Sequence, residues 1–111
     1  MTHYLVKLKH GQLYLSLNNG QTEILLKAGG STSSCSVGTG DWLETPTAVE
    51  VDQQVVVKIV SLKGAYRADV AGGGVQIYMG TAPEGNKLEV TPIDSLPTEL
   101  QSPFPFPFEN L

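Results

Sequence analysis

Apolar and polar residues alternate over the first part of this chain with the two-residue period of a pleated strand. Tyr4, Val6 and Leu8 alternate with His3, Leu5, Lys7 and Lys9, and Leu13, Leu15 and Leu17 alternate with Gln12, Tyr14 and Ser16. His10-Gly11 separates the two runs, and Asn18-Asn19-Gly20 follows the second. Asn-Gly favours a two-residue hairpin because both positions tolerate positive φ. Gln21 to Lys27, with Ile24 and Leu26 on one face, supplies the return strand. Residues 3–27 therefore predict a three-stranded meander.

The pattern breaks over Ala28 to Gly40, where Gly29-Gly30 and a run of serines and threonines read as the longest loop. Asp41 to Glu44 predicts a short strand that turns Trp42 into the core, and Pro46 marks an edge or bend. Ala48 to Val51 is a further short strand. Val55 to Leu62 is rich in β-branched residues and apolar on both faces, the signature of a central strand covered on both sides. Ala65 to Val70, Val75 to Met79 and Lys87 to Thr91 follow as strands, and 93–101 reads as one helical turn capped by Asp94 or Ser95. About eight strands at hairpin spacing predict an all-β antiparallel barrel or two-sheet sandwich. The want of a long amphipathic helix argues against a parallel βαβ layout. The β-domain is expected over 1–92, with a turn and extended tail over 93–111.

Charge narrows the partners. The net charge of −4 and pI of 4.9 fit no nucleic-acid stripe, since the seven basic residues are scattered. A single cysteine, Cys35, allows no internal disulfide. No apolar run has the length of a membrane-spanning helix, and the start of the sequence lacks a secretory h-region. A cytoplasmic protein is the expectation.

The end of the sequence holds all three phenylalanines, in Pro103-Phe104-Pro105-Phe106-Pro107-Phe108. Proline fixes its own φ and pushes the preceding residue towards extended geometry. In a strand, the three rings would share one face. The Phe amides would all point to one neighbour, while the prolines offer the other side no donor. Such a segment suits an edge strand that blocks further sheet growth, in its own fold or on a second copy.

Candidate chemistry is sparse. The Gly-Ser stretch lacks the lysine of a phosphate-binding loop. Cys35 with His3 or His10 as base has no supporting spacing, and His3 and His10 with Asp41 or Glu44 make an unspecific metal set. No catalytic residue, cofactor or metal is expected. Trp42 with Asp41, beside the Gly-Ser stretch, is the candidate ligand contact at the mouth of a barrel. The sequence thus reads as a non-enzymatic structural or protein-interaction module, self-associating through sheet edges and its tail. A small-ligand or carbohydrate-binding β-barrel is the alternative.

Overall fold

A computed structural model describes residues 2–71 and 74–94. They form ten strands: β1 (Thr2–Leu8), β2 (Gly11–Asn18), β3 (Gln21–Ala28), β4 (Ser31–Gly38), β5 (Thr47–Val51), β6 (Gln54–Ser61), β7 (Gly64–Ala71), β8 (Gly74–Met79), β9 (Asn86–Leu88) and β10 (Thr91–Ile93). Two five-stranded antiparallel sheets result, ordered β10-β1-β2-β3-β4 and β8-β7-β6-β5-β9. The expected all-β class holds, and the sandwich is the form it takes. No described helix is long and apolar enough to cross a membrane.

Register follows from the turns. Asn19 and Gly20, with φ of 53° and 76°, close the β2–β3 hairpin in the left-handed pair of conformations that matches strand twist. Gly29 and Gly30 do the same between β3 and β4. Asp52 and Gln53 adopt φ of 51° and 65° between β5 and β6, although neither is glycine. With two-residue turns the facing side chains are set: Leu13 lies opposite Leu26, and Leu15 opposite Ile24. A slip of one residue would turn every one of these to the other face.

The core lies between the sheets. Val6, Leu13, Leu15, Ile24 and Leu26 from the first sheet meet Ala48, Val57, Ile59, Tyr66, Ala68 and Val70 from the second. β6 is the middle strand of its sheet, as its composition predicts. Its Val56 faces away from the core and is nonetheless buried. At one corner the chain steps between sheets through Glu89 and Val90, from β9 to β10. At the other, β4 lies against β8.

Three expectations change. The Gly-Ser stretch is a strand rather than a loop, paired with β3 along its whole length, from Gln21 opposite Gly38 to Ala28 opposite Ser31. Its side chains are too small and polar for their alternation to register as hydrophobic periodicity, while the Gly29-Gly30 turn delivers it to the edge of β3. The strand expected over 87–91 divides into β9 and β10, because the corner between sheets falls inside it. Ile93, placed at the start of a helical turn, instead pairs with His3 in β10, and Pro92 sits where proline is tolerated, on an edge strand. Residues 95–101 of that expected turn and the Phe-Pro tail lie outside the described residues, and the boundary expected at residue 92 falls within β10.

Candidate functional site

The two ends of the sandwich differ in chemistry. At one end, the segment from Thr39 to Leu43 runs between the sheets and bonds to both. Thr39 and Gly40 donate backbone N–H groups to the Gly20 carbonyl at 3.1 and 2.9 Å, holding the β2–β3 turn. Leu43 donates to the Val60 carbonyl, Leu62 donates to that of Asp41, and Lys63 to that of Thr39, all within 3.2 Å. Gly40, at φ 74°, lets this segment pass against Leu62, whose Cβ leaves only 3.1 Å for a side chain there.

Beneath this segment lies a polar chain whose direction follows from counting protons. The Thr39 hydroxyl bonds the Gly40 carbonyl at 2.7 Å, and a carbonyl only accepts. Its single proton is thereby used, so in the 2.7 Å bond between Thr22 and Thr39 the donor is Thr22. Thr22 in turn accepts from the Trp42 indole N–H at 2.8 Å. The sequence Trp42 to Thr22 to Thr39 to Gly40 satisfies every member, and both hydroxyls are inaccessible to solvent. The Trp42 ring packs on the core and tilts against Tyr4, with centroids 6.0 Å apart.

The structure therefore gives Trp42 an internal task. Its N–H is bonded within the fold, and the Gly-Ser stretch expected to line a mouth beside it is strand β4. Asp41 is exposed and contributes its carbonyl to Leu62. Trp42 forms a bridge with Ser61, and both face inward; their neighbours Asp41, Leu43, Val60 and Leu62 share the outward face. Leu43 and Leu62 are 62% and 67% exposed there. The same bridge aims the Trp42 backbone N–H and C=O away from β6.

The opposite end is open. A cleft of about 590 Å³ is walled by Leu8, Leu26, Val55, Val70 and Leu88, with Lys9, His10 and Glu50 at its rim. Among the described residues, no backbone hydrogen bond ties the two sheets together at this end.

A third cluster lies on the outward face of the second sheet. Arg67 forms a paired contact with Asp69, at 2.9 and 3.2 Å, and donates to the Thr81 carbonyl at 3.2 Å. Arg67 also stacks over the Tyr78 ring, 5.3 Å from its centroid. The Tyr78 hydroxyl donates to Asp69. That hydrogen bond, joined by desolvation and the charge of Asp69, raises the Tyr78 pKa above its ordinary value. The guanidinium of Arg67 is likewise held protonated more firmly, first by its hydrogen bond to Asp69.

The remaining candidates do not converge. Cys35 is a free thiol on β4, opposite Ile24 and so on the core side. His3 lies on the other face of the same sheet, bonded to the Ser16 hydroxyl at 2.8 Å, and His10 sits in the β1–β2 turn at the cleft. No three metal-ligating side chains cluster among the described residues. The Thr22–Thr39 pair carries no local sequence signal, as its members are seventeen positions apart. Arg67 and Asp69 had one: two opposite charges two residues apart in a strand share a face.

Comparison with protein families, curated proteins and solved structures finds no match.

Proposed function

We propose that this chain is a non-enzymatic association module whose contact surface is the Leu43–Leu62 end, and whose partner is a second copy of the chain. The observation that carries this reading is the pair of leucines, each more than half exposed, on one face of a hydrogen-bonded bridge that sets Leu43 opposite Val60 and Leu62 opposite Asp41. Large apolar side chains so placed favour removal from water, at about 25 cal/mol for each Å² covered. The Trp42 backbone groups beside them point away from β6, the direction a short antiparallel pairing about a two-fold axis would use, with the same patch serving both copies. The free thiol of Cys35 is compatible with a cytoplasmic setting.

Sedimentation mass across a concentration series tests this. The wild type is expected to be dimeric, and Leu43→Ser with Leu62→Ser monomeric, with unchanged circular dichroism. A wild type that stays monomeric at every concentration would refute the reading.

The cleft favours a second reading, binding of a small apolar ligand. Its volume lies within the range of small-molecule sites, and its walls are aliphatic. This reading moves the ligand site away from Trp42 and Asp41 to the other end of the sandwich. An apolar fluorescent probe that binds the wild type equally well as Leu26→Lys would dismiss it.

A further inference from the structure

The outward face of the first sheet carries an apolar row. Register places Leu5 opposite Tyr14 and Tyr14 opposite Leu25, so these three side chains run in line across β1, β2 and β3. Polar rows flank it: His3, Ser16 and Glu23 on one side, Lys7, Gln12 and Lys27 on the other. Every described strand belongs to one of the two sheets, and the second sheet covers the opposite face. An open sheet face in that position should wet its central side chains. Yet Tyr14 and His3 are each 7% exposed and Ser16 is 4% exposed. None of the three belongs to the core between the sheets.

We propose that this face is the seat of the chain's own C-terminal segment, residues 95–111, with the phenylalanine rings lying along the Leu5–Tyr14–Leu25 row. The described chain ends beside this face, since β10 pairs with β1 and Ile93 lies opposite His3. Crossing from β10 to β3 spans three strand spacings, about 14 Å. Phe104 lies ten positions after Asp94, a reach of up to about 33 Å for an extended chain. In extended geometry the three rings share a face and repeat every ~6.6 Å. Three rings at that repeat span ~13 Å, enough to cover the three-membered row, which spans ~10 Å across the strands. Proline at alternate positions lowers the conformational entropy lost on docking. Ring against ring and ring against leucine is the chemistry on offer, with Tyr14 at the centre of the row.

The geometry also constrains the mode. From Thr91 to Ile93, β10 runs towards the first residues of β1, so continuing in line would carry the chain past Thr2 and off the strand. The segment cannot extend its ladder along β1 in that direction. Packing on the sheet face replaces the edge pairing that its composition alone suggests. A monomer satisfies this arrangement, so it stands independently of association through Leu43 and Leu62.

The test exploits composition, because the three phenylalanines all lie in this segment. In full-length protein labelled at phenylalanine rings and leucine methyls, NOEs are expected from ring protons to Leu5 and Leu25. A mixed sample of labelled and unlabelled chains should show them to be intramolecular. The full-length variant Phe106→Asp should lose these NOEs and increase binding of an apolar dye severalfold, with sheet signal retained. Absence of any ring contact to Leu5 or Leu25 in the wild type overturns the proposal. So do contacts that prove to be only between chains, which would assign the face to a second copy.

Discussion

At the Trp42 end of the sandwich, a five-residue crossing segment bonds both sheets, and two buried hydroxyls pass a directed hydrogen-bond chain beneath it. At the other end, the same strands finish in turns around an aliphatic cleft, with no backbone bond from sheet to sheet among the described residues. Both ends draw on one core and one alternation of residues. The difference teaches that apolar alternation stacks the two sheets, whereas the closure of an end depends on polar groups that the alternation does not contain. A satisfied polar chain costs little while complete and a good deal when one member is removed, because its neighbours stay buried without partners.

The largest expected effect is therefore at the closed end. Thr22→Val keeps the shape but leaves the Trp42 N–H without an acceptor and Thr39 without its donor, at a cost of about 3 kcal/mol. Leu26→Ala, at the cleft, should cost only about 2 kcal/mol, the low end for such truncations, because water can enter the space created. Denaturant titration of both variants checks the order. If Leu26→Ala proves the more damaging, the contrast between the ends is misjudged.

Exchanging turn chemistry sharpens the same comparison by smaller steps. Asp52 and Gln53, at the cleft end, hold left-handed conformations that suit Asn-Gly, the pair found at the closed end. Replacing them with Asn and Gly should stabilise by about 1 kcal/mol, and replacing Asn19-Gly20 with Asp-Gln should destabilise by about as much. Melting of the two double variants reads this directly, and equal signs would disprove it.

The smallest effect concerns alkaline pH. The Tyr78 pKa is raised in the folded chain, so the neutral phenol is favoured there over the unfolded state. Its contribution is fully present below the ordinary pKa of about 10 and is lost as pH rises through the raised folded value. The alkaline decline in stability should be steeper for wild type than for Tyr78→Phe. Parallel declines would mean that the hydrogen bond to Asp69 does not distinguish the two states.

Much of the fold was legible where side chains differ strongly in polarity and turns carry their own chemistry. Leu13, Leu15 and Leu17 announced a half-buried strand, Asn19-Gly20 its hairpin, and Val55 to Leu62 the middle of a sheet. β4 was not legible. Ser33, Cys35 and Val37 face the core side and Thr32, Ser34 and Ser36 the other, a distinction too slight for a polarity pattern to carry. β9 and β10 are three residues each, too short to show a period. The inward course of Trp42 was readable from the short extended segment expected over Asp41 to Glu44, of which the structure keeps one bridge. Its partner was not, because Thr22 lies twenty positions away and only the finished packing brings it near. The same holds for Leu43 and Leu62, whose common face is made by a bridge between distant segments.

The contact of β4 with β8 has a consequence on heating. Among the described strands, β4 is an eight-residue edge strand with neither a charge nor a proline, and the opposite sheet's edge strand, β8, lies across the corner from it. Should that corner breathe open, two strand edges are uncovered at once, each able to recruit its counterpart from another molecule. The temperature at which solutions become turbid would then be set by this corner, below the point where the core itself melts. Light scattering followed alongside circular dichroism should show the first rising before the second falls.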